Sequence, residues 1–339
     1  MQRTAVSLAL FVLCAPFCQA QPKAPLTLQQ TILLPGVTGK FDHFAVDTER
    51  NLLFAAATGN HSVEVIDLKT NKVRQSITGL GKPHGLEWVA ATGSLYVADG
   101  ALGELRVYSG TPLALAGKLK LSDDADDMVY DEASHSLFVG HGGDAANPPK
   151  IAVVDTVHFS IVASFSVATH PEALEIDPGG RRVFVNVAGA NEVVVIDLAT
   201  RAIAAQWKLT RAGDNVPLAY DDEDGLLYVG CRTPGTLIAL DSATGKEMGS
   251  APAAEGADDL FYDAALGRVY LISGVGEVDS YQVGPDKSLH PLGTLLTAAG
   301  AKTGLFVPAQ KLLYVGIPGA GAQPAQIRVY ATGTTQEKP

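Results

Sequence analysis

A short apolar strand with an aromatic at its second position recurs seven times: Leu53-Phe54-Ala55, Leu95-Tyr96-Val97, Leu137-Phe138-Val139, Val183-Phe184-Val185, Leu227-Tyr228-Val229, Val269-Tyr270-Leu271 and Leu313-Tyr314-Val315. The aromatics lie 42, 42, 46, 44, 42 and 44 residues apart. A period of that length marks one supersecondary unit repeated along the chain, each copy burying its apolar faces against its neighbours. About ten residues before each aromatic is an alternating strand such as Phe44-Ala45-Val46-Asp47 or Leu174-Glu175-Ile176-Asp177, joined to it by a turn rich in Asp, Gly, Ser or Asn. After the aromatic strand come a Gly-rich loop, a third strand such as Val193-Val194-Val195-Ile196-Asp197, and a fourth such as Ala202-Ile203-Ala204-Ala205-Gln206-Trp207. Four antiparallel strands in that span make one propeller blade.

The chain ends extend this reading. The last repeat stops after its third strand, near Thr332, and one unpaired strand, Leu28 to Leu34, precedes the first repeat. That strand can supply the missing outer strand of blade seven, tying the ring shut and hiding an edge. The expected fold is all-β, a single seven-bladed β-propeller over residues 28–332 with blade seven closed by the N-terminal strand. Residues 21–27 and 333–339 are expected to be flexible tails, and the ring is expected to be a monomer.

Composition fits a packed fold and removes several function classes. With 47% apolar and 18% charged residues, and 35 glycines and 19 prolines, the chain is neither disordered nor a coiled coil. Its net charge of −11 leaves no basic surface for nucleic acid, which needs clustered Lys and Arg. Residues 1–20 read as a signal peptide: Arg3 gives a positive start, Ala5 to Phe17 is apolar but too short to span a bilayer, and Ala20 is a small residue suited to cleavage. No later stretch suits a membrane span, so the expected location is periplasmic or secreted. After cleavage one cysteine remains, Cys231, which excludes a disulfide within the chain and a thiolate metal cluster.

The aromatic strand, the Gly/Asn loop and the Val-x-Val-Ile-Asp strand resemble the YVTN β-propeller repeat of exported YncE-like proteins. Leu52 to Asp67 and Val183 to Asp197 carry the resemblance best, and Pro83-His84-Gly85-Leu86 resembles the family's strand start. The resemblance implies a propeller fold. It implies little about activity, because the motif residues build blades. Blades five and six depart from it in their third strands, Leu237-Ile238-Ala239-Leu240-Asp241 and Val278-Asp279-Ser280-Tyr281.

In a propeller the loops leading into the innermost strands share one mouth of the central channel with the loops between the second and third strands. The residue pairs at the start of the seven inner strands are Asp42-His43, His84-Gly85, Asp126-Asp127, Glu172-Ala173, Val216-Pro217, Asp258-Asp259 and Thr303-Gly304, with His170 just upstream of one of them. The expected ligand-binding residues are therefore Asp42, His43, His84, Asp126, Asp127, His170, Glu172, Asp258 and Asp259. Imidazole with carboxylate suits a divalent transition metal, for which His43, His84 and Asp126 are the candidate ligands, while carboxylates with carbonyls suit calcium. Like charges gathered there should raise carboxylate pKa values and favour a cation. The competing reading is structural, since Asp and Asn in loops also cap strands and close turns. His61, His141, Asp99, Asn186 and Arg232 are expected in loops of the same face, and Arg181-Arg182 in a solvated turn on the far face.

Three functions remain open. One is a binding module holding a small molecule, an ion or a protein partner at the channel mouth, with no catalytic residue. A second is a metal-assisted hydrolase or lyase of the lactonase type at the same mouth. A third is an accessory protein for redox enzymes. Neither Gly-x-Ser-x-Gly nor His-Glu-x-x-His is present to favour catalysis.

Overall fold

Six repeats each fold into a meander of four antiparallel strands and the seventh contributes three, completed by the N-terminal strand, giving seven separate four-stranded sheets. The computed structural model describes residues 24–333 apart from Pro178, Gly180 and Ala322. The segments read as signal peptide and outer tails, 1–23 and 334–339, lie outside the described residues. Blade one shows the pattern: Phe44–Asp47 innermost, then Leu52–Ala57, Ser62–Asp67 and Lys72–Ile77, with Ala45 opposite Phe54 and Phe54 opposite Val65. Its hairpins close on Asn51 and Asn71, both at positive φ, and on an Asx turn in which Asp67 accepts the amides of Lys69 and Thr70.

The core lies between blades. Phe54 packs with Val63 and Val65 of its own blade and with Leu86, Leu95 and Val97 of blade two. At four junctions the repeated aromatic meets an aromatic on the next blade's inner strand: Phe54 with Trp88, Phe184 with Tyr220, Tyr228 with Tyr262 and Tyr270 with Phe306, ring centroids 5.2–6.0 Å apart. Cys231 is buried in the junction around Phe184, and burial pushes its thiol up to about 12, so it is an inert packing residue.

The N-terminal strand closes the ring as the sequence suggests. Leu26–Leu34 pairs antiparallel with Ala325–Thr332, with Leu26 opposite Thr332 and Leu34 opposite Ala325. The strand starts two residues earlier than expected, so Leu26 and Thr27 belong to the sheet and not to a tail. Arg182, expected in a solvated turn, is instead tied down: it sits 3.1 Å from Asp177 and over the Phe184 ring at 4.9 Å. Among the described residues no helix is long and apolar enough to cross a membrane.

Candidate functional site at the channel mouth

The inner strands begin at Phe44, Pro83, Met128, Pro171, Gly213, Ala257 and Gly304, and the residues at or just before these starts converge on one end of the channel. Of the expected ligand residues, Asp42, His43, His84, Asp126, Asp127, Glu172 and Asp258 line a cavity of about 170 Å³ together with Lys40, Arg232 and Lys302, while His170 and Asp259 stand outside its lining. Close approach of neighbouring blades is built in. A Cβ on Gly85 would collide with the Asp126 carbonyl, so the backbones of blades two and three can meet there only because that residue is glycine.

The second acid of two pairs has a structural task. Asp127 accepts the amide of Leu174 at 3.0 Å and Asp259 accepts that of Gly304 at 2.7 Å, each tying its blade to the next. In both, the other carboxylate oxygen turns inward to His43, 3.6 Å from Asp127 and 3.9 Å from Asp259. His43 also faces Asp42 at 3.2 Å. Burial alone would strip its proton, but Asp127, Asp42 and Asp259 outweigh burial and hold its pKa well above the ordinary histidine value.

Asp126 is the hub of the opposite side. Its Oδ1 lies 3.3 Å from Nδ1 of His84 and its Oδ2 3.5 Å from Nε2 of His170. Burial pushes the Asp126 carboxyl up, yet the two imidazoles overcome it and hold it well below the usual carboxylate range. Asp42 is likewise pushed up by burial and brought below the ordinary value by His43. At three other acids burial outweighs the nearby imidazole: it raises Asp127 and lifts Asp259 to about 7 against the pull of His43, and lifts Glu172 to about 7 against that of His170. The expected rise therefore holds for three acids and is reversed for Asp42 and Asp126, whose imidazoles lie nearest, at 3.2 and 3.3 Å.

Charge compensation is greater than the sequence reading allowed. Asp258 is bracketed by Arg232 and Lys302, which ion-pair with its two oxygens. Lys40 and Lys302 are additions to the expected set; they precede inner-strand starts by four and two residues, and lysines without a periodic position give no signal. Of the other loop residues, His61 contacts the Gly81 carbonyl, Asp99 accepts amides of Gly81 and Lys82, and Asn186 donates to the carbonyls of Val216 and Pro217, all outside the mouth. His141 lies in a separate cleft, 2.6 Å from the Ser122 hydroxyl. Deeper in the channel, Glu87 and Glu175 stand on inner strands, and burial with the nearby Asp127 raises each to about 8.

A pronounced feature of the mouth is unmet polarity. Of fourteen buried side-chain polar atoms without a hydrogen-bond partner among the described residues, five belong to four residues here: His43 Nδ1, both ring nitrogens of His84, Asp126 Oδ1 and His170 Nε2. The His84 side chain is only 8% exposed. Two groups of three potential ligand atoms within 4.8 Å of one another occur, Asp42, His43 and Asp126, and Asp126, His170 and Glu172.

No family model and no curated protein matches the chain. Among solved structures it is similar to a chain in the crystal structure of a mitotic checkpoint complex, with a TM-score of 0.76 at 13% identity over 98% of this chain and 99% of that one. It is also similar to hydrazine synthase of Kuenenia stuttgartiensis, with a TM-score of 0.72 at 17% identity over 85% and 95%. At such identities the likeness concerns the fold, and the chain is a seven-bladed β-propeller.

Proposed function

We propose that this protein is an exported, YVTN-type propeller acting as a binding module that holds a divalent transition-metal ion at its channel mouth. Its ligands would come from Asp42, His43, His84 and Asp126. The observation that carries this reading is His84, a buried imidazole whose Nε2 has no hydrogen-bond partner and whose Nδ1 has only Asp126, 3.3 Å away at the cavity wall. Leaving such groups unpartnered costs about 1–3 kcal/mol each, which a coordinated ion removes. Two imidazoles select a first-row transition metal over calcium, which takes oxygen ligands. A cavity of about 170 Å³ suits an ion and its waters; pockets for organic ligands run to about 300–1,000 Å³. Export rests on the pattern of residues 1–20, and the YVTN assignment on the repeat.

The test is a thermal-shift titration of chelator-treated protein. Zn²⁺ or Mn²⁺ should raise the midpoint and Ca²⁺ should not. An ion at a hundred times its Kd should add about 2.7 kcal/mol, because only the folded ring assembles the ligands. His84→Ala and Asp126→Asn should abolish the shift. A midpoint unmoved by every ion in the wild type would contradict the reading.

A further inference from the structure

We infer that the mouth holds two metal ions, bridged by the carboxylate of Asp126. The inference rests on the metal-binding reading above and deepens it by fixing the number and sharing of the ions. The two potential ligand groups have one member in common, Asp126, and they otherwise draw on different residues: Asp42 and His43 from blade one, His170 and Glu172 from blade four. The two oxygens of Asp126 face different imidazoles. Oδ1 faces His84 Nδ1 at 3.3 Å and Oδ2 faces His170 Nε2 at 3.5 Å. A carboxylate with a separate nitrogen ligand at each oxygen is the geometry that bridges paired ions about 3.5–4 Å apart.

His170 adds an independent sign. Its Nδ1 lies 2.7 Å from the carbonyl oxygen of Gly142, the contact that a ligating histidine makes through its other ring N–H. That bond fixes the tautomer, so in the neutral ring Nε2 carries a lone pair. The same Nε2 is buried without a hydrogen-bond partner and faces a carboxylate oxygen, itself an acceptor. Two acceptors facing each other need a proton or a cation between them; a proton fills that place in the metal-free ring, and a metal ion would displace it. His84, buried and without a hydrogen-bond partner at Nε2, supplies the corresponding imidazole on the Oδ1 side.

Full-length mature protein would be stripped with chelator, loaded with Zn²⁺, dialysed against metal-free buffer and assayed for zinc per chain by mass spectrometry. Two ions per chain are expected in the wild type. One is expected in His170→Ala and in Glu172→Gln, each checked for folding by circular dichroism. His158→Ala, which removes an exposed His–Asp pair on an outer turn, should still hold two. One ion in the wild type, unchanged by His170→Ala, would overturn the pair while leaving a single-ion mouth intact. Two ions in both wild type and His170→Ala, or a loss in His158→Ala, would place the second ion elsewhere and also overturn the pair. No retained zinc in the wild type would sink the metal-binding reading along with it.

Discussion

Phe184→Ala tests the packing that positions the mouth. Phe184 is fully buried, and its ring lies 5.6 Å from Tyr220 on blade five and 6.0 Å from Trp207 on its own outer strand. Truncating a buried Phe costs about 3–5 kcal/mol through lost transfer energy and the cavity left behind. Loss of two aromatic contacts, each about 0.5–1.5 kcal/mol beyond burial, places this site in the upper part of that range, at about 4–5 kcal/mol. Unfolding entropy is about 2.1 cal/mol/K per residue, so for a chain of about 300 residues the melting midpoint should fall by about 6–8 °C. The assay is equilibrium urea unfolding followed by intrinsic fluorescence, with calorimetry for the midpoint. Leu115→Ala, at a residue 52% exposed on an outer strand, should change stability by less than about 0.5 kcal/mol. A Phe184→Ala cost below about 1 kcal/mol would refute inter-blade packing of the repeated aromatics.

Deleting residues 21–36 removes the strand Leu26–Leu34 and leaves the edge of Ala325–Thr332 unpaired, so stability should fall and aggregation should rise in light scattering; unchanged behaviour would contradict closure through that strand. Glu87 and Glu175 are raised from the ordinary 4.5 to about 8 in the folded ring, chiefly by burial and then by Asp127. The folded state therefore holds more protons between about pH 4.5 and 8, and stability should decline as pH rises through that window and level off above it. Glu87→Gln with Glu175→Gln should flatten that decline in chemical unfolding measured across pH, and an unaltered slope would show that the channel does not perturb them.

The architecture was legible because it repeats. Seven aromatics at near-constant spacing fix strand register, and the orphan strands at the two ends admit one closure. The mouth was legible as a place and as a set of acids and histidines, because position within a repeat maps onto position around a ring. Its chemistry was less so. Whether an inner-strand acid also ties blades, as Asp127 and Asp259 do through the amides of Leu174 and Gly304, or faces imidazoles with both oxygens, as Asp126 does, depends on side-chain direction that a repeat position does not fix. The inner-strand aromatics Trp88, Tyr220, Tyr262 and Phe306 share a repeat position that the second-strand pattern overshadowed. Lys40 and Lys302 neutralise the mouth from loop positions that no period marks.

The central claim is a metal at the channel mouth, and anomalous X-ray diffraction from crystals grown with zinc tests it most directly. Data on either side of the zinc absorption edge should show density at the mouth, about 2.0–2.2 Å from a ring nitrogen of His84 and from a carboxylate oxygen of Asp126. Zinc-bearing crystals with no anomalous density at that mouth, His84 and Asp126 being well ordered, would contradict it.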